Sequence, residues 1–388
     1  MNNNFLIIGA GLSGCTIANL LSEKYPQAQI TILEKRAEIA GNCADGDMFN
    51  NGIIVQKYGP HIFHTNDEAV WKYLSKFTEW NYTFVKPKVV IWGKEVPIPF
   101  NLNSLEILFP HVLYSKIEEL LIEKYGYGNS VSILDLKQAK EPLLEYISNF
   151  ILDNVFKNYV KKQWGQDYDC IDETVMRRVP VNISKDDRYF SDRYQGIPKK
   201  GFSRMIENMI KKPNIKVVLN TDYKNLINDN WNDNSSISQN SYFSNFDKIY
   251  VTTSIDEFFD YKYGVLPYRS LTFDYEIVES KFYQTAEVVS YPNNFDFTRI
   301  TEHKRFYRQC IDTPYTVIGY EYPQEFKIGE NERFYPISNE RTLNIYSSYH
   351  NYAKEVAKNF IFVGRLGGYK YYNMDVLVAE ILNMEDFK

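Results

Sequence analysis

Cysteine, histidine and long apolar runs are all scarce in this chain. Its four cysteines, Cys15, Cys43, Cys170 and Cys310, stand far apart and form no C-x-x-C pair. That spacing argues against a disulfide framework or a zinc site, and it points to a reducing, cytoplasmic compartment. Two of the five histidines, His61 and His64, lie three positions apart, but no third ligand follows at a suitable spacing, so no metal is expected. No run of about 18 apolar residues occurs, so no membrane span is expected. The N-terminus lacks a basic segment and its apolar run breaks into glycines, unlike a signal peptide. Cationic excess is missing too. The 44 Lys and Arg face 49 Asp and Glu, a net charge of −5, which argues against a general nucleic-acid footprint.

Aromatic residues, in contrast, are abundant, with 32 Tyr and 25 Phe among 388 residues. A packed core explains them, and so does a site lined with rings and hydroxyls of the kind nucleotides and sugars favour. Composition alone leaves both open. The length allows two or three domains.

The most informative stretch is the first. Phe5-Leu6-Ile7-Ile8 is a short apolar run, Gly9-Ala10-Gly11-Leu12-Ser13-Gly14 follows at once, and Cys15–Leu21 carries apolar residues at helical spacing. A G-x-G-x-x-G between strand and helix is the context for dinucleotide binding: tight turn, close approach to a pyrophosphate, close helix–strand packing. A second run, Gln29–Leu33, ends in Glu34, 20 positions after Gly14, where an acid would meet an adenosine ribose hydroxyl. Ala40-Gly41-Asn42 then offers a small-residue turn that a flat cofactor could lie against. Another Gly-rich βαβ unit remains the competing explanation of the motif taken by itself.

Further along, the spacing predicts a helix over 67–78, a hairpin within 82–100, helices through 103–160, and an irregular Arg- and Tyr-rich loop over 180–198. The polar stretch 228–247 reads as an exposed loop. Short alternating runs over 271–335 predict a mostly antiparallel region. Phe360–Arg365 followed by Val376–Leu382 reads as a strand-turn-helix returning to the first domain. The expected architecture is α/β: a discontinuous Rossmann-like dinucleotide-binding domain (1–80, 200–255 and 336–388), a helical lobe (102–162), and a mainly antiparallel sheet domain (81–101, 163–199 and 256–335) with a mobile loop near 178–198.

Several segments resemble the bacterial UDP-galactopyranose mutases, in order and along nearly the whole chain. They are Gly9–Gly14, Lys57–Thr65 (KYGPHIFHT), Tyr159–Gly165 (YVKKQWG), Arg178–Val181, Tyr189–Pro198, Tyr268–Leu271, Thr298–Lys304, Tyr335-Pro336 and Gly364–Asp375. The resemblance implies a flavoenzyme, active when its FAD is reduced, that contracts a nucleotide sugar from pyranose to furanose and feeds cell-surface polysaccharide synthesis. It also implies a homodimer. In that family the flavin N5 attacks the anomeric carbon and expels the nucleoside diphosphate, and the protein supplies positioning and electrostatics.

The resemblance also assigns residues. Arg178 and Arg299 match arginines on the diphosphate, and Tyr189, Tyr335 and Tyr371 match tyrosines on the same group. Phe156, Tyr159 and Trp164 match the nucleoside wall. His64, expected nearest the flavin N5 region, is with Arg178 and Arg299 an expected catalytic residue, with His61 and Ile62 beside it and Arg365 at the pyrimidine edge. Gly9, Gly11, Ser13, Gly14, Glu34, Lys35, Gly41 and Asn42 are expected to bind the cofactor, as are Asn373 and Met374, with Arg269 supporting that region. Asn373 stands where several family members carry Asp, so no carboxylate acts there. Val85 falls where an Asn is expected near the sugar 6-hydroxyl. An apolar side chain cannot pair that hydroxyl, so Val85 fits a 6-deoxy sugar such as dTDP-fucopyranose at least as well as UDP-galactopyranose. A net FAD-dependent oxidoreductase of the same fold is the alternative, and a non-enzymatic binding protein on this fold is a third.

Overall fold

The computed structural model describes residues 3–165, 180–226, 240–307 and 313–387, with only the backbone of Trp164. A five-stranded parallel sheet forms one domain, in the spatial order Ile215–Val218, Gln29–Leu33, Asn4–Ile8, Lys248–Val251 and Phe360–Phe362. A parallel strand covered on both faces must be apolar at nearly every position, and Phe5-Leu6-Ile7-Ile8 meets that demand. Phe5 and Ile7 pack with Ile30, Ile32 and Tyr250, under the helices Leu12–Lys24, Phe202–Ile210 and Met374–Leu382. Leu6 and Ile8 pack on the other face with Leu33, Ile249 and Val251, under the helix Glu340–Val356.

The glycine turn joins the first strand to the first helix. Gly9 has φ +105°, and a Cβ on Gly14 would sit 2.0 Å from the Gly9 carbonyl oxygen, so strand and helix could not approach.

A seven-stranded sheet is the second layer, ordered Tyr335–Pro336, Tyr268–Val278, Thr316–Glu325, Arg299–Glu302, Val288–Ser290, Lys88–Ile91 and Lys94–Pro97. Its one parallel join is between Val288–Ser290 and Lys88–Ile91. The helices Leu102–Leu108, His111–Tyr125, Ile133–Lys137 and Pro142–Ile151 surround a core of their own, which includes Leu105, Ile117, Leu121 and Ile147. A π-helical segment, Leu152–Phe156, then leads into Lys157–Trp164.

Four expectations are corrected. The stretch 180–198 is not an irregular loop throughout. Pro180–Asn182 pairs with Ser130–Ser132 and Phe100–Asn101 in the helical lobe, and Tyr194–Pro198 pairs with Phe63–Thr65 and Trp80–Tyr82. Neither strand joins the large antiparallel sheet to which 163–199 was assigned. The prolines did not prevent either strand, because each stands at a strand end, where its missing N–H is tolerated. The helix expected over 67–78 is Glu68–Leu74, capped by Asp67 through the amides of Ala69 and Val70. It stops where the Ser75 hydroxyl donates to the Trp71 carbonyl at 2.7 Å. Of the polar stretch 228–247, residues 228–239 lie outside the described residues. The remainder is not wholly exposed, since Phe243 is fully buried among Tyr223, Phe258 and Phe360.

Candidate active site

Two cavities meet between these layers. The first, about 220 Å³, lies at the carboxyl ends of the parallel strands, where open α/β sheets place ligands. Gly9, Gly11, Ser13, Glu34, Lys35, Gly41 and Asn42 line it, together with His61, Arg365 and Met374. The second, about 560 Å³, is lined by His61, Ile62, His64, Val85, Phe156, Tyr159, Tyr189, Arg299, Tyr335, Arg365, Tyr371, Asn373 and Met374. His61, Arg365 and Met374 therefore border both.

In the first cavity Glu34 is buried, and its carboxylate is fixed by backbone donors, Ala10 N–H at 2.8 Å and Arg36 N–H at 2.9 Å. Arg36 sits over the Tyr58 ring at 4.4 Å and pairs with Glu332 at 3.2 Å, as does Lys35 at 3.6 Å. Among the described residues, Arg36 Nη1 is buried without a hydrogen-bond partner.

In the second cavity Arg299 meets Glu321 through Nε at 2.8 Å and Nη2 at 2.7 Å. Burial opposes its charge, but Glu321 more than restores it, so its pKa stands above the usual value. Burial also pushes the Tyr159 and Tyr335 hydroxyls up, Tyr335 to about 12, and desolvation raises that of Tyr189, which is 47% exposed, so all three are neutral hydrogen-bond donors at pH 7. The Tyr335 and Tyr371 rings meet edge-on at 5.4 Å, and the Arg365 guanidinium lies 5.8 Å and 5.4 Å from their centroids. Burial first, and Arg365 second, lower His61 to about 4, which keeps it neutral at pH 7. Its Nδ1 lies 2.8 Å from the Gly59 carbonyl oxygen.

Four of the expected residues stand apart from both cavities or beyond description. Gly14 serves helix–strand packing. Arg269 lines neither cavity. It donates to the carbonyls of Gln163 at 2.7 Å and Lys162 at 3.0 Å, satisfying the last turn of the helix Lys157–Trp164. Arg178 and the Trp164 side chain lie outside the described residues. Sequence reasoning missed Thr252, Thr253 and Glu332 in the first cavity. The two threonines follow the strand Lys248–Val251 directly, and its carboxyl end was a legible signal. Phe190 in the second cavity falls inside the matching segment Tyr189–Pro198 without having been singled out, and Pro87, Val89, Ile98 and Val288 carry no motif at all.

The fold and the glycine-turn cavity define a dinucleotide-binding α/β protein with a second cavity beneath an antiparallel sheet. Comparison with known proteins narrows the class. Residues 7–77 match the NAD(P)-binding Rossmann-like domain, and residues 154–371 match the UDP-galactopyranose mutase family. A dTDP-fucopyranose mutase of Escherichia coli is 32% identical over 386 residues, 98% of this chain and 97% of that one. A probable UDP-galactopyranose mutase of Klebsiella pneumoniae is 32% identical over 387 residues, 99% and 94% of the two chains. A crystal structure of reduced UDP-galactopyranose mutase superposes with a TM-score of 0.70 at 16% identity, covering 98% of this chain and 93% of that one, which shows a shared fold. The chain belongs to the UDP-galactopyranose mutase family and is an isomerase of the mutase type. No described helix is long and apolar enough to cross a membrane.

Proposed function

We propose that the chain contracts the pyranose ring of a galacto-configured nucleotide sugar to the furanose, with FAD in the first cavity and the sugar in the second. One observation carries the reading. A cavity at a dinucleotide-type glycine turn meets, at His61, Arg365 and Met374, a second cavity holding Arg299 and a set of neutral tyrosines. The first cavity's residues fit FAD. Its turn bares backbone amides, Glu34 offers carboxylate lone pairs, and the orphaned Arg36 Nη1 is a donor to spare. Reduced flavin, when bound, supplies the nucleophile for the anomeric carbon.

The rest falls to the chain. Arg299 and the hydroxyls of Tyr159, Tyr189 and Tyr335 give a departing diphosphate one fixed cation and several neutral donors. Arg365, at the border of the cavities, favours an electron-rich ligand beside it. Phe156 and Tyr159 offer rings on which a pyrimidine can stack.

The sugar end favours a 6-deoxy hexose. Val85 is buried and shares its wall with Pro87, Val89, Ile98 and Phe100, which suits a methyl group and leaves a hydroxyl unpaired. A buried unpaired hydroxyl costs about 1–3 kcal/mol. The FAD-loaded, dithionite-reduced protein should therefore convert dTDP-fucopyranose with kcat/KM roughly 10- to 100-fold above dTDP-galactopyranose. The matched base removes the nucleoside from the comparison. Preference for the galactose compound sinks the 6-deoxy reading. Absence of any furanose product, with reductant consumed in proportion to substrate, sinks the mutase reading in favour of a net oxidoreductase.

A further inference from the structure

The imidazole of His64 is held on several sides. Its Nδ1 lies 2.9 Å from Asp192 Oδ2. Phe190 stacks on its face, with ring centroids 3.7 Å apart and planes 14° apart. Its backbone lies in the strand Phe63–Thr65, opposite Gln195. Asp192 is fixed in turn. Asn66 Nδ2 donates to its Oδ1 at 2.8 Å, and the Gln195 side chain donates to its carbonyl at 2.8 Å. His64 lines the second cavity, whereas Asp192 does not.

A carboxylate only accepts hydrogen bonds, so the imidazole nitrogen facing it carries the hydrogen. In the neutral ring Nε2 is then the bare nitrogen, and no described residue bonds to it. An imidazole gripped at Nδ1 by a carboxylate, with its other nitrogen left for a cavity, is the arrangement used for general acid–base work.

Conversion of a pyranose to a furanose needs such a group. In the pyranose O5 is in the ring and O4 carries hydrogen; in the furanose the two are exchanged. One proton must leave O4 and one must arrive at O5. We propose that His64 Nε2 carries this proton and that Asp192 is the positioning residue that keeps Nε2 bare for it. The proposal rests on the ring-contraction reading above. The O4–H bond breaks as Nε2–H forms, and Nε2–H breaks as O5–H forms. Nδ1 keeps its hydrogen on Asp192 throughout, the carboxylate stabilises the transient imidazolium, and His64 ends in the state in which it began. No oxidant or reductant enters this transfer.

Nitrogen NMR of the ligand-free chain labelled with ¹⁵N-histidine, at a pH where the ring is neutral, tests the first half. His64 should be the Nδ1–H tautomer, and an Nε2–H tautomer would overturn the proposal. In the reduced, FAD-loaded protein, Asp192→Asn can present its amide N–H to Nδ1 and so reverse the tautomer. It should lower kcat about 100-fold or more with KM little changed, and Asp192→Glu should recover part of the loss. An unchanged kcat in an Asp192→Asn protein of wild-type melting temperature overturns the proposal, because a mere tie between strands would act on stability instead. If Asp192→Asn does not fold, the wild-type tautomer and the Asp192→Glu kinetics decide. Failure of the wild-type protein to form any furanose would refute the ring-contraction reading and the proton transfer with it. A measured Nδ1–H tautomer would then still credit Asp192 with orienting His64.

Discussion

His303 is a titratable group buried with its charge removed. It is 1% exposed, its Nδ1 accepts from the Gln56 backbone N–H at 3.3 Å, and its Nε2 has no partner among the described residues. Burial pushes it down to about 3, below the ordinary 6.5. The unfolded chain therefore binds the extra proton between those values, and stability rises with pH across that window. The contribution is fully present above about pH 6.5 and is lost toward pH 3, at up to about 1.4 kcal/mol per pH unit. His303→Asn keeps an acceptor for Gln56 but cannot titrate, so in urea it should lose less stability than the wild type between pH 6.5 and 4. Parallel pH profiles for the two proteins would refute this. His303 also shows what a sequence hides. It belongs to the run Thr298–Lys304, which the family resemblance pointed to as a whole. Only Arg299 of that run lines the second cavity. Glu302 accepts from the amides of Tyr283 and Gln284, and Lys304 Nζ donates to the carbonyls of Thr313 and Tyr315. A charge that supports the fold and a charge that meets substrate are the same letter. Burial and partners separate them, and neither is written in the spacing.

Among the elements, the helix Phe202–Ile210 begins in an unusual way. Its N-cap, Gly201, has no side chain to offer. Asp45, far away in the chain, supplies the cap instead. Its carboxylate accepts from Phe202 N–H at 2.6 Å and Ser203 N–H at 2.9 Å, and the Ser203 hydroxyl accepts from Asp45 N–H at 2.9 Å. The Tyr307 hydroxyl donates to the same carboxylate at 2.7 Å, and Gln56 Nε2 donates to Tyr307 at 3.2 Å and to the His61 carbonyl at 3.0 Å. The helix start is thus wired to the segment that borders both cavities. Asp45→Ala strands three donors at about 1–3 kcal/mol each. Urea unfolding should show a loss of at least ~2 kcal/mol, and a change under ~0.5 kcal/mol, ordinary for a surface substitution, would contradict this assignment. The helix itself was legible, because Phe202, Met205, Ile206 and Met209 repeat with its period. Its cap was not, because the usual signal is local and this one comes from another part of the chain.

For the whole molecule, the parallel sheet was legible at its first two strands and at its last, since the run from Phe360 reads as a strand returning to the first domain and Phe360–Phe362 pairs there with Lys248–Val251. The run Phe5–Gly14 with Glu34 names a βαβ unit on its own. The strands Pro180–Asn182 and Tyr194–Pro198 were not legible, since each is completed by partners that no local pattern announces. The sheet's centre has a further consequence, for synthesis. Asn4–Ile8 needs Lys248–Val251 beside it, with Leu6 opposite Ile249. At ~5–20 residues per second, the ribosome delivers that partner roughly 10–50 s after the first strand emerges. Until then Asn4–Ile8 presents an unpaired edge and the apolar face of Leu6 and Ile8 is uncovered, which is a template for aggregation. A fragment ending at residue 226 should therefore aggregate, or elute bound to a chaperone, while the full chain is recovered free. A fragment that stays soluble and monomeric would show the early strands to be self-sufficient. Birth order thus makes the first residues of the chain its longest-waiting ones, and a cell producing this isomerase must shelter them until their neighbour is made.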